Sequence, residues 1–121
     1  MLSHILSADM SDPNMRGILF EQLIFNELQK QLSWSTKNLK LYYWRTTDGK
    51  EVDFIVENMK GQIVGIEVKA KTTLSPSDWS SLKLLESQTG TDFVKGVVIY
   101  NGQNIIPLSE KILAIPLSLL W

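Results

Sequence analysis

An almost uninterrupted apolar run, Phe93–Tyr100, constrains the fold of this chain more than any other feature. A run of this length that is rich in valine and isoleucine is typical of a strand buried on both faces. Before it, Ser75 as N-cap and Pro76 at the first helical position predict a helix, which stops near Gly90. Together with a strand predicted at Gln62–Ala70, these segments form a strand–helix–strand unit, whose two strands are expected to be parallel.

A long helix and a hairpin precede this unit. Apolar residues recur at helical spacing over roughly Met15–Leu32, which predicts a helix with a broad buried face. Strands are predicted at Leu39–Arg45 and Lys50–Val56, because the Asp-Gly dipeptide between them is a strong hairpin signal. With a short last strand at Ile112–Ile115, the prediction is an α/β fold: helix, three antiparallel strands, helix, strand and a short C-terminal strand in one mixed sheet.

Length and composition bound the class of protein. The chain has 121 residues, 44% hydrophobic and 21% charged, which is typical of one globular domain. We predict a single domain over residues 15–121 after an N-terminal lead-in segment, residues 1–14. No stretch approaches the roughly 20 apolar residues of a membrane span. Residues 1–10 lack the basic start of a signal peptide, so we expect no membrane association and a cytoplasmic location.

The absence of cysteine and the presence of only one histidine restrict any metal site. Thiolate sites and multi-histidine sites are excluded within this chain, so a metal would have oxygen ligands. Such ligands favour a hard cation, Mg²⁺ or Mn²⁺.

Two of the predicted strands bring charged side chains together. Side chains alternate along a strand, which places Glu67 and Lys69 on one face of the strand Gln62–Ala70. If the Asn58–Gly61 turn centres near its third residue, the hairpin register sets Asp53 opposite Glu67. Directly opposed residues lie about 5 Å apart, so two carboxylates and one ammonium group would share one patch.

This patch has the features of a metal site. Opposed carboxylates repel each other unless a cation lies between them. Asp53, Glu67 and the backbone carbonyl of Val68 would hold a magnesium ion that keeps several waters. Lys69 would orient or help to deprotonate a bound water for attack on a phosphodiester. Gly65, on the same face, is expected to leave room for the backbone of a ligand.

Further candidates flank the patch. Glu21 lies amid the apolar stripe of the long helix, where a carboxylate needs a partner, and the metal or Lys69 would supply one. Arg45 and Lys71 are placed to contact phosphates, although ordinary surface charge explains them equally well. The aromatic residues Tyr42–Trp44 would stack on bases or, as we prefer, pack the strand against the helices.

In their order along the chain, these residues resemble the PD-(D/E)XK superfamily, which includes restriction endonucleases and Holliday-junction resolvases. The segments that carry the resemblance are Gly17–Leu28, Tyr43–Arg45, Gly49–Phe54 and Gly65–Lys69. From Gly17 to Trp121 the chain is, more narrowly, similar to the C-terminal domain of unknown function of prokaryotic AAA-type ATPases. The resemblance implies a restriction-endonuclease-like core and a metal-dependent nuclease site formed by Glu21, Asp53, Glu67 and Lys69.

Two departures from the pattern bear on function. Val52 replaces the proline that gives the superfamily its name, and no phosphate-binding loop occurs, since Gly49-Lys50 is followed by Glu51. This chain therefore does not include an AAA-type ATPase module. This would be expected of a fragment of a longer ATPase, of a truncated gene product or of a free-standing relative.

Two functions stay open. The first is a Mg²⁺- or Mn²⁺-dependent endonuclease acting on DNA. The second is a non-catalytic accessory module of an AAA-type ATPase that binds nucleic acid or a protein partner, with the acids and the lysine kept as a structural network. A lone Glu-X-Lys on a strand is usually a solvated ion pair, and it is the four residues together that favour a site. A net charge of −1 predicts a weak grip on DNA, which a partner or a homodimer would strengthen.

Overall fold

A computed structural model describes residues 21–30 and 38–120 of the chain. The helices in these ranges are α1, residues 21–30, and α2, Ser80–Thr89. The strands are β1 (Lys40–Arg45), β2 (Glu51–Glu57), β3 (Ile63–Lys69), β4 (Phe93–Tyr100), β5 (Ile106–Pro107) and β6 (Ile112–Pro116). The lead-in segment 1–14 and both ends of the predicted helix Met15–Leu32 lie outside the described residues.

All the described strands belong to one mixed sheet, in the order β1-β2-β3-β4-β6-β5. The first three strands are antiparallel neighbours. The strands β3, β4 and β6 run parallel, and β5 is antiparallel to β6 at the edge. The predicted α/β fold with a mixed sheet is confirmed at this level, including the bounds of β4.

Each face of the sheet packs against one helix. On one face Ile24 of α1 is buried, and the ring of Phe25 stacks on that of Phe54 in β2 with centroids 6.1 Å apart. On the other face Leu82 and Leu85 of α2 are almost fully buried. The strand residues around the α1 side are Phe54, Ile66 and Ile99, and those around the α2 side include Val52, Ile55, Ile63, Phe93, Val98, Tyr100, Ile112 and Ala114. The helices thus cover both faces of the central strand β4, as its composition predicted.

Two adjacent glycines lie in a tightly packed part of the sheet, and one of them, Gly65, lies beneath α2. Gly65 in β3 is the neighbour of Gly96 in β4. A Cβ atom added to Gly65 would lie 2.8 Å from Cδ2 of Leu82, and one added to Gly96 would lie 2.9 Å from Cζ of Phe93. The expectation that Gly65 leaves room for a ligand is therefore wrong, because α2 fills that space.

A bulge interrupts β2 at Asp53 and Phe54. Tyr42 pairs with Ile55 and Trp44 pairs with Val52, so two residues of β2 oppose the single Tyr43. Strict alternation would put Val52 on the same face as Phe54. The extra residue instead turns Val52 to the α2 face, where it is fully buried.

The elements at the two ends of the crossover differ slightly from prediction. The segment Pro76–Trp79 is a 3₁₀ turn after the N-cap Ser75, and the α-helix proper begins at Ser80. After β6, residues Leu117–Leu120 form another 3₁₀ turn. None of the described helices is long and apolar enough to cross a membrane.

Candidate functional site

Asp53 and Glu67 meet where β2 and β3 separate. The register pairs Phe54 with Ile66, so the next position along both strands sets Asp53 against Glu67, in agreement with the predicted register. The Asp53 carboxylate accepts a hydrogen bond from the backbone N–H of Val68 at 2.8 Å. The Asp53 carboxylate thus takes the place of a backbone carbonyl as the acceptor at this end of the pairing. This hydrogen bond fixes the carboxylate beside β3.

Glu67 is an acid buried in the sheet. Only 4% of its surface is exposed, and its Oε1 atom is buried without a hydrogen-bond partner in the described part of the chain. Its Oε2 atom lies 3.6 Å from Nζ of Lys69, whose side chain is 32% exposed. A buried polar atom without a partner is costly, so a ligand that reached Oε1 would relieve that cost.

The two carboxyl groups have raised pKa values. Burial raises the pKa of Asp53 to about 6, opposed by the hydrogen bond from Val68 and the charge of Lys69 and reinforced by the charge of Glu21. Burial, followed by the charge of Asp53, raises the pKa of Glu67 to about 8 against the opposing effect of Lys69. Two acids that resist ionising side by side are stabilised by a cation placed between them.

Glu21 lies near this pair but is less enclosed than predicted. Its charge raises the pKa of Asp53, and both residues line one cavity of about 410 Å³. Glu21 is nevertheless exposed, whereas the buried residues of α1 are Leu23 and Ile24. The prediction that Glu21 lies amid an apolar stripe is therefore wrong: the buried side of the helix follows other positions. Nowhere in residues 21–30 and 38–120 do three acidic or histidine side chains group closely enough to hold one ion.

The aromatic residues of β1 have different environments. Trp44 packs against the core on the α2 side, which confirms the packing interpretation for that residue. Tyr43 is 67% exposed. The hydroxyl of Tyr42 donates a hydrogen bond to Glu57 at 2.6 Å, and burial together with this acid raises the pKa of Tyr42 to about 12. Both tyrosines line the same cavity as Asp53.

The two basic residues predicted to contact phosphates are both in ion pairs. Arg45 lies 3.1 Å from Glu51, with both side chains more than half exposed, and its guanidinium is 5.8 Å from the ring centroid of Tyr43. Lys71 lies 2.7 Å from Asp78, and its side chain is 52% exposed. A phosphate that approaches either cation therefore competes with a carboxylate.

Asp78 is a second buried acid, outside the pair formed by Asp53 and Glu67. It is 7% exposed, and it accepts hydrogen bonds from Nζ of Lys71 and from the backbone N–H of Ser75, at 2.7 and 2.8 Å. Burial favours the neutral acid, but the bonds from Lys71 and Ser75 outweigh it and hold the pKa of Asp78 below its usual value, and the charge of Lys69 adds to them. The Ser-Pro-Ser-Asp motif predicts the start of a helix. The contact between Asp78 and Lys71 depends on the fold and cannot be predicted from that motif.

The donor set at the end of β2 and β3 fits a small, hard cation. Two carboxylates are available from Asp53 and Glu67, and Val68, the residue after Glu67, donates its backbone N–H to Asp53. The Oε1 atom of Glu67 without a partner and the mutual repulsion of the two acids are the features that a bound cation would relieve. With so few protein ligands, magnesium would keep several waters, as it usually does.

Comparisons with known proteins identify a family without an assigned activity. The sequence model of a domain of unknown function, DUF4143, matches residues 16–120. The chain is 34% identical over 76 residues to uncharacterized proteins of Mycobacterium bovis and Mycobacterium tuberculosis. The matched segment is 63% of this chain and only 16% of the length of each relative. No solved structure matches the chain.

Proposed function

The chain belongs to the family of the domain of unknown function DUF4143, and on that premise we propose that it is a nuclease-like domain of PD-(D/E)XK type that hydrolyses DNA phosphodiesters with Mg²⁺ or Mn²⁺. The observation that carries the proposal is the pair of opposed carboxylates, Asp53 and Glu67, with a buried oxygen that has no partner within the described residues and a lysine 3.6 Å away. Opposed acids are destabilising in a purely structural role, so their presence favours a metal-binding one.

In this proposal each residue has a separate task. Asp53, Glu67 and the carbonyl of Val68 bind the cation. When bound, the cation would lower the pKa of a water and offset charge that develops on the phosphoryl oxygens. Lys69, whose side chain is 32% exposed, would orient the attacking water or a phosphate oxygen by hydrogen bonding, and Glu21 would support the metal or Lys69 from the exposed rim.

A second function is favoured by a different observation. Arg45 and Lys71 are both paired with acids, and the chain has a net charge of −1, which together limit the attraction for a polyanion. The alternative is a non-catalytic accessory module of an AAA-type ATPase that binds nucleic acid or a protein partner. In either case we place the protein in the cytoplasm and expect a homodimer or a partner to extend the DNA-binding surface.

A comparison of Lys69→Ala with Lys60→Ala separates the two functions. Lys60 lies in the exposed turn between β2 and β3 and makes a matched control. For a nuclease, Mn²⁺-dependent cleavage of plasmid and single-stranded DNA is lost in Lys69→Ala, while its free energy of unfolding changes by less than about 1 kcal/mol. For an accessory module, neither the wild type nor Lys60→Ala cleaves DNA, and Lys69→Ala is destabilised at pH 9, where Glu67 is ionised and stays buried without its cation.

A further inference from the structure

A second cavity, of about 650 Å³, opens beside the proposed nuclease site. It lies at the carboxyl ends of β3 and β4, which is where ligands usually bind to parallel strands. Tyr100, one of its lining residues, is the neighbour of Lys69 across these two strands. Neighbouring strands are about 5 Å apart, so the backbone at Lys69 lies one strand away from a residue that lines the cavity.

Residues 101–104 form a loop that is one wall of this cavity, and contacts to the backbone of the loop hold it in place. The hydroxyl of Tyr100 donates a hydrogen bond to the carbonyl of Asn104 at 2.5 Å. The N–H of Asn101 donates to the carbonyl of Lys71 at 2.8 Å. Gly102 lies against the ring of Tyr100 so closely that a Cβ atom would collide with it. A wall held in this way is preorganised, which lowers the entropic cost of binding a ligand.

The side chains around the cavity suit a flat, uncharged group. The half-buried Trp79 and the ring of Tyr100 supply an apolar wall. Five polar side chains in the lining make no hydrogen bond to any other described residue, and they belong to Thr72, Thr73, Asn101, Gln103 and Asn104. None of the lining residues is an aspartate, glutamate, lysine, arginine or histidine. The cavity therefore offers amide donors and acceptors without the positive charge that a phosphate requires.

We propose that this cavity binds one nucleobase, with adenine preferred, of the DNA strand whose phosphodiester lies at Asp53 and Glu67. This inference rests on the proposed function and adds a specificity site to it. The carboxamides of Gln103 and Asn104 each present one donor and one acceptor, the pair that matches N7 and N6 of adenine. Aromatic side chains such as Trp79 supply the stacking that holds unpaired bases.

A nucleoside titration tests the proposal without metal or cleavage. The full chain is titrated with adenosine, and amide and indole resonances are followed by NMR; the double variant Gln103→Ala, Asn104→Ala removes both carboxamides. The backbone carbonyl of residue 104 that Tyr100 contacts is kept in this variant. Gln88→Ala, on the exposed side of α2, is the matched control. We expect saturable shifts at Trp79 and Tyr100, binding about tenfold weaker in the double variant, and wild-type binding in Gln88→Ala.

The outcomes of this titration are independent of the metal site. Adenosine binding that is lost only in the double variant supports the cavity as a base site even if Asp53 and Glu67 bind no metal. Absence of nucleoside binding, equal binding by the double variant, or shifts with inorganic phosphate in place of adenosine overturn the proposal, even if the chain cleaves DNA.

Discussion

The side chain of Asp53 accepts a hydrogen bond from the backbone N–H of Val68, 2.8 Å away across the end of the β2–β3 pairing. Asp53 also belongs to the bulge in β2, where the regular alternation of the strand is interrupted. The contact anchors one carboxylate beside a second one, Glu67. Two acids held together by the backbone in this manner have consequences for stability that can be measured without any substrate.

The first prediction concerns stability as a function of pH. The folded pKa values of Asp53 and Glu67 are raised, to about 6 and about 8, above their ordinary values of 3.8 and 4.5. The folded state therefore holds protons more tightly than the unfolded state, and this contribution is complete below about pH 4 and lost as the pH rises through 6 and 8. We expect the free energy of unfolding, from urea titrations, to fall by roughly 2–4 kcal/mol between pH 5 and pH 9.

The control for this prediction is Glu67→Gln, which keeps the shape of the side chain and cannot ionise. In this variant the free energy of unfolding should fall much less between pH 5 and pH 9. The variant should also be more stable than the wild type at pH 9. A wild-type stability that rises with pH over this interval, or an unchanged slope in Glu67→Gln, would contradict the burial of an unrelieved acid at this position.

A second prediction distinguishes two ion pairs of similar geometry. Asp78 is buried and is bonded to Lys71 and to the N-cap Ser75, whereas Arg45 and Glu51 are both exposed. Lys71→Ala leaves a buried carboxylate with only one of these donors, so we expect a loss of about 1–3 kcal/mol in thermal or urea unfolding.

For the exposed pair, Arg45→Ala should change the free energy of unfolding by less than about 1 kcal/mol. Equal effects of Lys71→Ala and Arg45→Ala would show that Asp78 takes up water or another partner when Lys71 is removed.

A third prediction tests the role of Gly65. Because an added methyl group would meet Cδ2 of Leu82 at 2.8 Å, Gly65→Ala should lower the free energy of unfolding by about 1–3 kcal/mol. In a Leu82→Ala background the same change should cost much less, since the obstructing side chain is absent. Calorimetry with Mn²⁺ should give the same affinity for Gly65→Ala as for the wild type. If Gly65→Ala instead lost much metal affinity and little stability, Gly65 would leave room for a ligand after all.

Much of the fold follows from local sequence signals. The apolar run Phe93–Tyr100 matches β4 residue for residue, and the other predicted strands agree with the structure to within a residue at most ends. The register that sets Asp53 against Glu67 could be predicted because a short turn, closed by Gly61 in the left-handed region, fixes which residues of its two strands meet.

The parts that could not be predicted depend on contacts between distant segments. The bulge in β2 appears only in its pairing with β1. The alternation of side chains along a strand predicts faces correctly only where no extra residue is inserted. Gly65 belongs beneath α2 because Leu82 packs there, seventeen positions along the chain. The partnership of Lys71 with the buried Asp78 likewise exists only once the 3₁₀ turn has folded back onto the end of β3.

The measurement that tests the central claim most directly is calorimetric titration of the chain with Mg²⁺ and Mn²⁺, beside Asp53→Ala and the control Asp92→Ala. Asp92 is an exposed acid in the turn before β4, away from the candidate ligands. Saturable binding by the wild type and Asp92→Ala that disappears in Asp53→Ala is the predicted result. Absence of binding to the wild type, or equal binding by Asp53→Ala, would contradict a metal site formed by Asp53 and Glu67 and leave the accessory-module function.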